Sequence, residues 1–128
     1  MKVRKIDHVG IVVKDLDAAL ATYSRHFGFA VDGSRGGELP ALGIKNAFVP
    51  VADSDLEFIQ PTSDQGPVAK FAQERGEGQF LLSIAVDDVN AAVEHLRGLG
   101  VRVGDPSNGV AFVSMKSSHG VNLQLIQR

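Results

Sequence analysis

The stretch that decides the fold is Lys5-Ile6-Asp7-His8-Val9-Gly10-Ile11-Val12-Val13, followed at once by Lys14-Asp15-Leu16-Asp17-Ala18-Ala19. It reads as a buried strand carrying one imidazole, then a helix that Asp15 can cap. A degraded copy appears later as Gln79-Phe80-Leu81-Leu82-Ser83-Ile84-Ala85-Val86, then Asp87-Asp88-Val89-Asn90-Ala91-Ala92. With His8 laid on Leu81, Ile11 falls on Ile84, Val13 on Val86, Asp15 on Asp88 and Ala18-Ala19 on Ala91-Ala92. The ends of the two halves repeat too: Leu56-Glu57-Phe58-Ile59-Gln60 matches Leu123-Gln124-Leu125-Ile126-Gln127. Self-similarity of this kind means two copies of one supersecondary unit.

Working outward, Leu16, Ala19, Leu20, Tyr23 and Phe27 recur at helical spacing, and Gly28 suits a left-handed stop. Residues 29–31 predict a short strand. Residues 33–43, rich in glycine, predict a flexible connection and a candidate lid. Residues 44–51 and 55–60 predict a hairpin around Ala52-Asp53-Ser54. Residues 67–75 predict a short helix with Val68 and Phe71 inward. In the second half, Asp88 caps a helix with Val89, Ala92, Val93 and Leu96 on one face. Strands follow at 101–103, 110–115 and 121–126, with turns at 105–109 and 117–120. The expected fold is α+β: two tandem βαβββ modules, residues 1–66 and 77–128, in a single domain, joined by a short helical connection at 67–76.

Composition excludes several function classes. A net charge of −2 gives no electrostatic case for nucleic acid or an anionic membrane surface. The chain has no cysteine, which removes disulfide, thiolate and cysteine–metal chemistry. No apolar run approaches bilayer-spanning length. A soluble cytoplasmic protein is the default expectation.

The duplicated unit, the Asp7-His8-Val9-Gly10 opening and the Leu56-to-Gln60 strand resemble the vicinal oxygen chelate superfamily. This group includes glyoxalases, extradiol dioxygenases and fosfomycin- and bleomycin-resistance proteins. Ala47-Phe48-Val49-Pro50, Val68-Ala69-Lys70-Phe71, Arg75-Gly76-Glu77-Gly78 and Val86-Asp87-Asp88 are most similar to the methylmalonyl-CoA epimerases within it. The resemblance implies a half-open mixed β-barrel around a central cavity, in which four strand residues converge on a divalent metal. Carried over one at a time, the first ligand matches His8 and the second Glu57. The third position holds Leu81 and the fourth Gln124.

These departures matter chemically. Leu81 has no donor atom, and Gln124 keeps an oxygen but loses the charge. If a divalent ion is held at all, His8, Glu57 and Gln124 are its ligands; an altered or empty metal site and no other cofactor are expected. The family's further acid–base glutamate belongs near residues 44–46, where this chain has no carboxylate. That leaves Glu57 and His8 as the candidate catalytic pair. Gln124, Leu81, Lys116, Ser118 and His119 are candidate substrate contacts, the last three in the turn where the family contacts a carboxylate.

A lone histidine in an apolar strand is ordinarily a hydrogen-bonded core residue, and Glu57 could point outward from an edge strand. His26 at a helix end suits the dipole and is expected to be structural. His95 is expected to be solvated. The resemblance implies an epimerase-like isomerase acting on a CoA thioester or similar small carboxylic substrate, as a homodimer. The alternative is a metal-free protein that binds or sequesters a small molecule. A glyoxalase-type lyase is a lesser option, since it needs the same metal.

Overall fold

The computed structural model describes residues 1–128. Strand β1 (Val3–Val12) leads into helix α1 (Leu16–Phe27), then strands β2 (Gly37–Leu39), β3 (Ile44–Val51) and β4 (Ser54–Pro61) and helix α2 (Pro67–Arg75). Strand β5 (Gly78–Val86), helix α3 (Val89–Gly98), strand β6 (Val110–Val113) and strand β7 (Leu123–Gln127) complete the chain. Helix and strand pairs of both directions make this a mixed α+β protein. No helix is long and apolar enough to cross a membrane.

The chain packs as two compact units. The mid-chain unit is Val9–Phe80; the terminal unit is Met1–His8 with Leu81–Arg128. Strand β1 gives its first part to the terminal unit and its second part to the mid-chain unit. In the mid-chain unit the strand order is β2-β3-β4-β1, and in the terminal unit β1-β5-β7-β6.

Both helix starts follow local chemistry. Asp15 accepts from the Ala18 N–H and Asp88 from the Ala91 N–H, so each satisfies one orphan donor of the first turn. Gly28 closes α1 at φ 70°, where a side chain would be strained. The apolar stripe of α1 packs Leu16, Ala19, Leu20 and Tyr23 on Val13, Ala47, Val49 and Phe58. Helix α2 covers Val12, Ile44 and Ile59 with Val68, Phe71 and Ala72. In the terminal unit, α3 buries Val89, Ala92 and Val93 against Val86, Ala111, Val113 and Leu125.

Four local expectations are corrected. Residues 29–31 form no strand, because Phe29 packs into the α1 cluster and stacks on Phe27 at 5.2 Å. Phe27 itself lies at the rim of the stripe and is 62% exposed. Residues 33–43 are not an open connection: β2 pairs antiparallel with the start of β3. Gly36 permits that approach, since a Cβ there would stand 2.7 Å from the Asn46 carbonyl oxygen. Residues 101–103 contribute only a bridge, Val103 to Val113, and residues 114–118 turn into a 3-10 helix instead of extending β6.

Candidate functional site

In the mid-chain unit, β3 and β4 pair with Asn46 opposite Ile59 and Phe48 opposite Glu57. The pleat therefore sets Asn46, Phe48, Glu57 and Ile59 on one face. Ala47, Val49 and Phe58 take the other face, where they bury against α1. This settles the alternation that the sequence leaves open: Phe58 is fully buried, and half-buried Glu57 faces the opposite way.

Glu57 is held by an amide. Asn46 Nδ2 donates to Glu57 Oε2 at 2.8 Å. Asn46 is buried, and its Oδ1 has no hydrogen-bond partner. An orphaned buried acceptor costs about 1–3 kcal/mol, so its retention calls for a reason beyond packing. Phe48, on the same face, carries the Arg35 guanidinium 4.7 Å from its ring centre. Arg35 makes two hydrogen bonds to Asp55, at 2.9 and 2.7 Å, and one to Asp32 at 2.9 Å. These bonds fasten residues 32–35 to the hairpin and hold the guanidinium firmly in its charged form.

An open cleft of about 750 Å³ lies in the same unit, lined by Ile44, Lys45, Gln60, Ser63, Ala69 and Gln73 among others. Neither Asn46 nor Glu57 lines it.

In the terminal unit, His8 is buried and its Nδ1 lies 2.7 Å from Asp7 Oδ2. Arg128 grips the same carboxylate, with Nε to Oδ1 at 2.9 Å and the second nitrogen to Oδ2 at 3.1 Å. Burial pushes the Asp7 pKa up, but hydrogen bonds from Arg128 and His8, and then their charges, bring it down to about 2. An ionised Asp7 can only accept, so the bond runs from the His8 Nδ1–H to the carboxylate and fixes the orientation of the ring.

Leu81 is buried and apolar. Ser83, fully buried on β5, stands opposite Gln124 on β7 and donates its hydroxyl to Gln124 Oε1 at 2.7 Å. That bond turns the Nε2–H groups of Gln124 away from Ser83. Phe112, opposite Gln124 on β6, is half exposed. Further along, the Ser118 hydroxyl donates to the Ser114 carbonyl at 2.8 Å, closing the 3-10 turn. Lys116 and His119 are exposed, with His119 in the left-handed region at φ 55°. His26 and His95 are exposed on their helices.

The structure thus places His8, Leu81, Gln124 and the 116–119 turn in the terminal unit and Glu57 in the mid-chain unit. No group of three or more His, Cys, Asp or Glu side chains is arranged to hold a metal ion. Sequence reasoning did not single out Asp7, Asn46, Ser83 or Arg128. Asp7 was readable as the neighbour of His8, and Asn46 as an amide in an apolar strand.

The chain belongs to the glyoxalase/bleomycin resistance protein/dioxygenase superfamily, whose family model matches residues 7–115. Among characterised proteins it is similar to human mitochondrial methylmalonyl-CoA epimerase, 32% identical over 96% of this chain and 73% of the human protein. The crystal structure of methylmalonyl-CoA epimerase from Mycobacterium tuberculosis superposes with a TM-score of 0.86 at 29% identity, covering 98% of this chain and 88% of that one. A variant of the Streptomyces coelicolor epimerase, solved in complex with 2-nitronate-propionyl-CoA, gives 0.85 at 28% identity over 98% of each chain.

Proposed function

We propose that this protein is an epimerase-like isomerase that moves a proton at the carbon next to the carbonyl of a CoA thioester or similar small carboxylic substrate. The observation that carries this reading is the amide-held carboxylate, Asn46–Glu57, in a chain that aligns over 96% of its length with human methylmalonyl-CoA epimerase. Glu57 takes the α-proton, and the electron pair of the broken C–H bond passes into the thioester carbonyl to give an enolate. A second proton reaches the opposite face of that carbon from the Nε2–H of His8 in its doubly protonated form, its Nδ1–H staying on Asp7, and exchange with solvent then returns Glu57 and His8 to their starting states. Gln124, with its oxygen occupied by Ser83, offers Nε2–H to the developing enolate oxygen. Lys116 and His119 supply contacts to the substrate's free carboxylate, and Ser118 adds one by turning its hydroxyl from the Ser114 carbonyl to the substrate. A soluble cytoplasmic homodimer with an acyl-CoA ligand goes with the same proposal.

The donor set does not fit a resident divalent ion. His8 has the carboxylate-backed imidazole that a metal-ligating histidine ordinarily has. But Leu81 brings no donor, and Gln124 is a neutral amide whose Oε1 already accepts from Ser83. A neutral amide with a single anion offers a divalent ion little. No step is therefore routed through a metal.

The apolar Leu81 and the amides at 46 and 124 favour a second reading, in which the protein binds a small molecule without turning it over. Proton NMR of methylmalonyl-CoA incubated with the protein in deuterated water separates the two. Deuterium entering the α-position supports the isomerase. Saturable binding with no incorporation supports the binding protein.

A further inference from the structure

We propose that Asn46 is the positioning residue of Glu57. The proposal rests on the proton-transfer reading above and deepens it.

Asn46 and Glu57 are diagonal neighbours on one face of a hairpin, so the short asparagine side chain meets only one oxygen of the carboxylate, Oε2 at 2.8 Å. An amide can present either end. Turned half a circle, it would set Oδ1 against the carboxylate, acceptor facing acceptor. The observed sense gives Glu57 a donor and leaves Oδ1 as a buried side-chain atom with no partner. A purely structural asparagine in a core strand satisfies both ends, and an apolar residue of similar volume would orphan nothing. The amide is therefore set to serve the carboxylate at the expense of its own second end. Its N–H fixes the rotamer and plane of the Glu57 carboxylate.

Neighbouring features agree. Gly36 brings its own backbone against the Asn46 carbonyl, where any Cβ would collide. Ile44, two residues before Asn46 on the same strand, is buried in the cluster under α2. The strand that presents the amide is thus held on both sides.

The test is Asn46→Leu, which keeps volume and removes both polar atoms, alongside Asn46→Ser, which keeps a donor. We expect Asn46→Leu to lower the turnover of deuterium exchange about 100-fold, with KM moving by less than about threefold. Its melting temperature should equal or exceed that of the unmodified protein, because the orphaned acceptor is gone. Asn46→Ser should recover part of the rate. Unchanged turnover in Asn46→Leu overturns the proposal, and so does a loss of rate that tracks a lower melting temperature. If the unmodified protein exchanges no thioester, the isomerase reading fails by itself. The positioning bond is then decided by NMR of the Asn46 side-chain amide protons. They should move clearly in Glu57→Leu if the amide serves the carboxylate; unmoved signals overturn the proposal.

Discussion

Arg128, at the end of strand β7's segment, closes a two-pronged grip on Asp7, the residue before the buried imidazole of β1. The pair ties the last residue of the chain to its first strand inside the terminal unit. Because Asp7 in turn holds His8 Nδ1, one carboxylate serves both architecture and the imidazole's tautomer.

This grip makes an acid-stability prediction. The Asp7 pKa is lowered from 3.8 to about 2 in the folded protein. The folded state thus binds this proton less readily than the unfolded state, and stability from this group is full above the unfolded value. It is lost as pH falls through the folded value. Asp7→Asn should destabilise the protein by about 1–3 kcal/mol at neutral pH. The gap to the unmodified protein should shrink between pH 3.8 and about 2, as followed by urea denaturation at several pH values.

The Ser83–Gln124 bond occupies the amide oxygen of Gln124, and it suggests a gain-of-function experiment. Leu81, Gln124 and His8 all lie in the terminal unit, on strands adjacent in the order β1-β5-β7. The double change Leu81→His with Gln124→Glu should create cobalt or zinc binding that calorimetry detects, while the unmodified protein shows none. Failure of the double variant to bind, with its fold intact, would mean that these side chains do not converge.

Phe58 anchors the mid-chain core. It is fully buried and meets Tyr23 edge-on at 4.8 Å between ring centres. Phe58→Ala should cost about 3–5 kcal/mol in chemical denaturation. Phe27→Ala, at the exposed end of the same helix stripe, should cost less than about 1 kcal/mol.

Much of this fold was legible because its signals are local. Asp15 and Asp88 each act on an amide three residues ahead, so the helix starts could be read without tertiary knowledge. The hairpin of β3 and β4 likewise follows from neighbouring residues. Phe29 misled, since a β-favouring aromatic found its partner in Phe27 and not in a ladder. The candidate positions His8, Glu57, Leu81 and Gln124 come from the family resemblance. Their partners were not legible, because Asn46 reaches Glu57, Ser83 reaches Gln124 and Arg128 reaches Asp7 only after the strands have paired.

Glu57 is proposed to carry the proton in this chain without a resident metal. The direct measurement is deuterium incorporation from solvent into the α-position of methylmalonyl-CoA by chelator-treated protein. Incorporation should persist after chelation and stop in Glu57→Gln. Incorporation that ceases on chelation and returns with added cobalt or zinc, or that survives in Glu57→Gln, would contradict the account.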